Sequence, residues 1–304
     1  MPAIGCVKKG SQLSPLADAV GALVIETADQ DQFRHLLKAA LEQNPTHIFI
    51  EGGDGTAQKV MSEYLQLLSS DQAPARFTLV AGGTTNQVAR NIGVQKLNAS
   101  HIEKILSRDV KSVNLLSMLE IIVDEDEKHH GFLFSTGAIP QATESYLKKV
   151  DETGKKSIGA VYTTIVEALG TGTQKENSFM APSPMKLTVT MNKEQAIVEE
   201  DHLGTITTTL PGFILGIDPF WGKGEAPLRM TYVGGQQTRI IRLVVNAALK
   251  RFKTLKSTQG VESWNADHIL MDYKGPIVLD GEKLTSAQSS LEIRATAPIE
   301  FVGL

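Results

Sequence analysis

The sequence predicts an α/β domain, a parallel sheet with flanking helices, followed by a β-rich, sandwich-like domain. Three observations carry this. Over the first third, short apolar runs alternate with segments of helical period; from about Leu116, short alternating strands separated by polar turns take over; and two glycine-rich loops stand at the ends of two early strands. The expected division is 1–115 and 116–304, with the last strands free to return to the first domain.

The first clear helix starts near Asp29 or Asp31. Phe33, Leu36, Leu37, Ala40 and Leu41 form one apolar stripe, an aspartate is available as N-cap, and Pro45 stops the element. His47-Ile48-Phe49-Ile50 reads as a buried strand running into Glu51-Gly52-Gly53-Asp54-Gly55-Thr56, after which Val60, Met61, Tyr64, Leu65 and Leu68 resume helical spacing. Phe77-Thr78-Leu79-Val80 then leads into Ala81-Gly82-Gly83-Thr84-Thr85-Asn86 and a short helix through Val88, Ala89 and Ile92. Each time the order is strand, glycine loop, helix.

Beyond the break, strands are expected at Leu119 to Val123, Gly131 to Phe134, Lys186 to Met191, Thr205 to Thr209 and Leu228 to Val233, with Asp124-Glu125-Asp126-Glu127 as a hairpin connection. His129 and His130, beside that turn, read as exposed hairpin residues. Helices are expected around Ser157 to Leu169 and from Arg239 to about Phe252. Pro276-Ile277-Val278-Leu279 leads into Asp280-Gly281-Glu282, a hairpin-type turn with two carboxylates.

Composition narrows the function. Lys plus Arg number 30 and Asp plus Glu 34, and the net charge of −4 gives no reason to expect nucleic acid as a partner. The single cysteine, Cys6, allows neither an internal disulfide nor a Cys-x-x-Cys zinc site, fits a reducing, cytoplasmic setting, and reads as buried in the first strand. No apolar stretch approaches the roughly 18 residues of a membrane span, so membrane contact is expected only as a peripheral one.

The two glycine loops should open onto one edge, because ligands of parallel sheets bind outside the carboxyl ends of the strands. Glycines there let backbone N–H groups surround phosphate oxygens, the following helix presents its positive end, and Thr56, Thr84 and Thr85 add hydroxyl donors. Asp54 is the odd member: a carboxylate beside phosphate is repulsive unless it orients Mg²⁺, a water or a donor, so a divalent cation is implied. Read singly, Gly52 to Gly55 is equally a tight turn capping a helix; the pair of loops favours a phosphate site. Other phosphate motifs fail. The chain has no Gly-x-x-x-x-Gly-Lys-Ser/Thr, and Gln58 stands where a dinucleotide fingerprint needs its third glycine.

Gly52-Gly53-Asp54-Gly55-Thr56, Gly83-Thr84-Thr85-Asn86 with Ala89-Arg90 and Gly93, and Asp280-Gly281-Glu282, in this order, resemble the diacylglycerol kinase catalytic family. These are lipid kinases that include bacterial diacylglycerol kinases and sphingosine kinases and are related to NAD kinases. The first loop is shared with NAD kinases; the second points to the lipid-kinase branch. The resemblance implies ATP and Mg²⁺ as cofactors, a lipid substrate, a nucleotide-binding first domain and a lipid-substrate second domain. It assigns Gly52, Gly53, Gly55, Thr56, Gly83, Thr84, Thr85 and Asn86 to the nucleotide, Asp54 to the metal and water network, and Glu282 as general base. Transfer of the γ-phosphate to a lipid hydroxyl such as that of diacylglycerol is the expected reaction.

The chain departs from the family pattern at Gln87, Lys59 and Asn114, where acidic residues are usual, so three negative charges are missing near the expected Mg²⁺. It also lacks the family's Asn-Pro-x-Ser-Gly at its start, for which Gly10-Ser11 is a partial replacement. Alternatives are therefore NAD kinase-like transfer to a soluble acceptor, and a catalytically weak nucleotide- or lipid-binding homologue. Lys148, Lys149, Lys155, Lys156, Lys250, Arg251, Lys253 and Lys256 read first as solvated helix faces and second as a lipid-facing surface. Phe220 and Trp221 are either core or a lip for an acyl chain.

Overall fold

The structure, a computed structural model, describes residues 3–7, 23–26, 30–69, 72–81, 87–92, 99–106, 112–125, 127–138, 182–212, 218–235, 260–284 and 290–303. The expected helices around 157–169 and 239–252, Gly10-Ser11 and both basic clusters lie outside the described residues. The chain divides into two compact units, Met1–Met118 with Ala297–Leu304, and Leu119–Thr296.

Among the described residues the first unit carries a sheet in the order Leu23–Glu26, Ala3–Val7, His47–Gly52, Arg76–Ala81, Ile299–Gly303, Ser112–Leu116. The first four strands run parallel. Ile299–Gly303 adds parallel to Arg76–Ala81 and antiparallel to Ser112–Leu116. Runs such as Ile48-Phe49-Ile50 are continuously apolar because helices cover the sheet, and these residues are all but sealed from solvent. Helix Gln30–Leu41 buries Phe33, Leu37, Ala40 and Leu41; helix Asp54–Leu67 buries Val60, Met61 and Tyr64. An ion pair between Arg34 and Glu63 and the Lys59 ammonium, 5.7 Å from the centre of the Phe33 ring, join the two helices. Cys6 is buried on its strand as expected, and burial pushes its thiol up to about 12, so it is no nucleophile.

Among the described residues the second unit is one antiparallel sheet wrapped around a shared core. Its hinge is the long strand Glu194–Thr208: the first part pairs with Ser183–Met191, and the part from Gly204 pairs with Leu133–Gly137 and Leu228–Gly234. The register shifts between His202 and Gly204. There Gly137, at φ +71°, packs so closely that a Cβ would stand 2.3 Å from the Leu203 carbonyl oxygen, so the bend requires glycine. Folded this way, the inner face gathers Leu119, Ile121, Phe134, Leu187, Met230 and Ile293 into one cluster. Buried His202 is satisfied on both sides, with Nδ1–H toward the Ser183 carbonyl at 3.0 Å and Nε2 3.2 Å from Thr136 Oγ1, and burial lowers its pKa.

Three expectations for this unit are corrected. The strand expected across Gly131 to Phe134 is two strands, Glu127–Gly131 and Leu133–Gly137, broken at Phe132. The strand expected at Thr205 begins at Glu194, because its solvent-facing half alternates too weakly to be read. His129 and His130 are not exposed hairpin residues: they sit on Glu127–Gly131, where neighbours point to opposite faces, and His130 is buried beside Glu120 while His129 is half-buried. Phe220 takes the core alternative, buried under the Arg229 guanidinium, which Asp218 holds by two hydrogen bonds of 2.7 and 2.8 Å. Trp221 is half-buried, its backbone N–H donating to Ser263 Oγ at 3.0 Å.

Candidate functional site

The first glycine loop follows strand His47–Gly52 and opens helix Asp54–Leu67. Gly53 is the N-cap, with extended backbone at φ −90° and ψ −173°, and no side chain caps the helix. Glycine has no side chain with which to cap the first-turn amides, and the helix's positive end follows directly on the loop. Gly52 is fixed by Thr56: a Cβ at Gly52 would lie 2.5 Å from the Thr56 Cβ. Thr56 is buried, Gly53 and Asp54 are half-buried, and Gly55 is exposed with open space around its Cα.

Asp54 does not cap its own helix. Its Oδ1 accepts the backbone N–H of Val88 at 2.9 Å, in the first turn of helix Gln87–Ile92. One carboxylate therefore links the helices that follow the two loops. Gly83, Thr84, Thr85 and Asn86 lie outside the described residues, as does Gly93; for Gln87 the backbone alone is described, as the first residue of the helix. At the other end of that helix, the Asn114 amide donates to the Ile92 carbonyl at 2.8 Å. This bond needs an N–H donor, which asparagine has and an ionised aspartate lacks. Two of the positions where the family's acid is missing thus carry defined interactions, Lys59 over Phe33 and Asn114 on Ile92.

The acidic turn belongs to the second unit. Asp280 and Gly281 have φ of +52° and +89°, and the turn joins strands Ile277–Leu279 and Glu282–Lys283, with Leu279 opposite Glu282. Its two carboxylates have different fates. Asp280 Oδ1 accepts the N–H of Phe132 at 3.1 Å and of Leu133 at 2.9 Å, and its own N–H donates to the Leu133 carbonyl at 2.8 Å. This clamp is the cause of the strand break at Phe132. Gly131 makes room for it, since a Cβ there would stand 2.5 Å from Asp280 Oδ2. Glu282 is exposed. Nothing near Gly131 in the sequence signals this clamp, because its partner is a turn 148 residues away.

Among the described residues no group of three or more His, Cys, Asp or Glu side chains is placed to hold a metal ion, and no helix is long and apolar enough to cross a membrane.

Set beside known proteins, residues 10–118 match the family described as the diacylglycerol kinase catalytic domain. The resemblance read from the glycine loops is therefore borne out: both loops lie within the segment that matches this family's domain. The acidic turn lies beyond the matched segment. The fold agrees over the whole chain. A crystal structure described as a diacylglycerol kinase from Bacillus anthracis str. Sterne is 14% identical, with a TM-score of 0.61, over 100% of this chain and 97% of that one. A second from the same organism, whose description as a diacylglycerol kinase is provisional, is 17% identical with a TM-score of 0.67 over the same shares. At such identities the likeness is one of fold. No curated protein matches the chain.

Proposed function

We propose that this protein is an ATP-dependent lipid kinase that transfers the γ-phosphate to a lipid hydroxyl such as that of diacylglycerol. The observation that carries the reading is the uncapped helix start at Gly53-Asp54-Gly55-Thr56, inside a segment matching a lipid-kinase domain. Gly52, Gly53, Gly55 and Thr56, with Gly83, Thr84, Thr85 and Asn86 of the second loop, would bind the nucleotide phosphates. Phosphoryl transfer asks little covalent chemistry of a protein, and positioned donors with neutralised charge do most of the work.

The chain's residues fit magnesium in its usual habit. Mg²⁺ keeps several waters and takes one or two carboxylates plus phosphate oxygens, so a dense acidic cluster is not required. With Oδ1 of Asp54 engaged by Val88, the second oxygen of the same carboxylate would face the cation or its water. Bound magnesium would supply neutralisation of phosphate charge. Glu282 would accept the proton of the lipid hydroxyl: it is exposed, while Asp280 holds the turn that carries it. The acceptor would be reached by peripheral, reversible contact with a membrane surface from the cytoplasmic side.

A second reading, a nucleotide- or lipid-binding homologue with little catalysis, is favoured by one feature: Asn114 has its amide on the Ile92 carbonyl, an arrangement built for a neutral side chain.

The deciding experiment is transfer of γ-labelled phosphate from Mg-ATP to a total lipid extract, with NAD in a parallel tube and Glu282→Gln as control. Label in the organic phase that disappears with the variant is expected. Label on NAD would redirect the reading to a soluble acceptor, and tight Mg-ATP binding in calorimetry with label in neither tube would establish the second reading.

A further inference from the structure

Strands His47–Gly52 and Arg76–Ala81 run to the glycine-loop edge; at their opposite, amino-terminal ends the first unit holds a cavity of about 600 Å³. Small-molecule sites range over about 300–1,000 Å³. Strands of this length put roughly 17 Å between the two ends, so the cavity is separate from the loop. Its apolar surface includes Leu65, Leu68 and Leu115. Leu115 is 65% exposed, a large apolar side chain left facing solvent at the rim.

The polar groups lie together and carry no net charge. Arg76 Nε donates to Glu300 Oε2 at 2.7 Å. Burial and the neighbouring Arg76 hold His47 down to about 4, so its ring is neutral at physiological pH. Thr78 Oγ1 donates to the Val302 carbonyl at 3.0 Å and lies 2.9 Å from His47 Nε2, which assigns the ring proton to Nε2. The Tyr64 hydroxyl oxygen accepts the Ala75 N–H at 2.7 Å, and burial raises the Tyr64 pKa, which keeps its own proton in place as a donor.

We propose that this cavity is a binding site for an uncharged ligand with an apolar body and one hydroxyl- or amide-bearing end. A charged ligand would give up hydration against Leu65, Leu68 and Leu115 with no net charge in the cavity to offset it, because the half-exposed Arg76–Glu300 pair already neutralises itself. A neutral group that both donates and accepts adds to that pair without breaking it, while Leu65, Leu68 and Leu115 cover the apolar body.

Two dyes with the same ring skeleton test this on the full chain. N-phenyl-1-naphthylamine is uncharged with one N–H; 8-anilinonaphthalene-1-sulfonate adds a negative charge. The neutral dye should bind with enhanced fluorescence, and at least about tenfold more tightly than the sulfonate. Leu68→Trp, which fills the cavity, and Ala73→Trp, on its exposed wall, should each weaken the neutral dye by at least about tenfold. The chain's own tryptophans, Trp221 and Trp264, belong to the second unit, so Leu115→Trp gives the first unit an indole of its own, which should transfer energy to the bound dye. A chemical unfolding curve identifies the folded variants, and Ala73→Trp, at an exposed loop position, decides if Leu68→Trp does not fold. Absence of binding, equal affinity for both dyes, or unchanged affinity in the folded cavity variants would each overturn the proposal.

Discussion

Asp54 and Val88 are joined by a 2.9 Å hydrogen bond from the Val88 backbone N–H to the Asp54 carboxylate. The bond fixes the helix after the second glycine loop to the helix after the first, so geometry at one loop depends on a side chain from the other. An aspartate in a glycine loop is thereby a structural clamp as well as the proposed magnesium-side carboxylate.

The two roles separate by substitution. Asp54→Asn keeps an oxygen acceptor for Val88 and removes the charge; it should stay within about 1 kcal/mol of the parent in urea unfolding and lose phosphoryl transfer by about 10²-fold or more. Asp54→Ala removes the acceptor as well and should cost about 1–2 kcal/mol of stability. Equal stability of the two variants would show that the bond contributes nothing.

Asn114→Asp restores the acidic residue that the family usually has, yet it should not restore activity. The carboxylate would face the Ile92 carbonyl, exchanging a 2.8 Å hydrogen bond for lone-pair repulsion at a half-buried site. A loss of about 1–3 kcal/mol is expected in urea unfolding, with transfer activity unchanged or lower. A more active variant would mean that the missing charge had limited the chemistry.

The two acids of the C-terminal turn should behave oppositely. Glu282→Gln changes an exposed side chain and should leave stability within about 0.5 kcal/mol while abolishing transfer. Asp280→Ala loses the acceptor for the Phe132 and Leu133 amides and puts alanine at φ +52°, so it should destabilise by about 2–4 kcal/mol. Thermal unfolding and the labelled-phosphate assay, run on both variants, check the contrast.

His47 should make stability fall on acidification. Its folded pKa is held down to about 4, below the ordinary value of about 6.5, so between these pH values the unfolded chain binds the extra proton. Stability therefore rises with pH across this window: it is fully present above about 6.5 and is lost as pH falls toward about 4, by as much as about 3 kcal/mol. His47→Gln keeps a donor for Thr78 and cannot titrate. The difference between parent and variant unfolding free energies should lose its slope above about pH 6.5, which separates this group from the carboxylates that titrate lower.

Several elements were legible because their signals are local. Helix Gln30–Leu41 shows its apolar stripe, strands His47–Gly52 and Arg76–Ala81 show continuous apolar runs, and Leu119–Val123 falls where alternation and the acidic turn put it. The motif residues were visible for the same reason: glycine and aspartate at fixed spacing between a strand and a helix report backbone geometry within a few residues. The break at Phe132 was not legible, since Gly131 to Phe134 is apolar enough to continue and what interrupts it is a carboxylate from the far end of the chain. Burial of His130 beside Glu120 was missed although the hairpin itself was expected, because Glu127 to His130 is polar throughout and shows no alternation that tells which face is covered.

Sequence alone establishes the two-part α/β and β-rich architecture, the strand-loop-helix order around both glycine loops, and the resemblance of residues 10–118 to the diacylglycerol kinase catalytic domain. Only the tertiary structure decided that Ile299–Gly303 completes the first unit's sheet, that Asp54 reaches Val88, that Asn114 serves the Ile92 carbonyl, and that Asp280 clamps Phe132 while leaving Glu282 exposed. The physical reason is range. Periodicity and turn chemistry act over a few residues, whereas hydrogen-bond partners of polar side chains are chosen among all groups that packing brings within about 3 Å, whatever their separation along the chain.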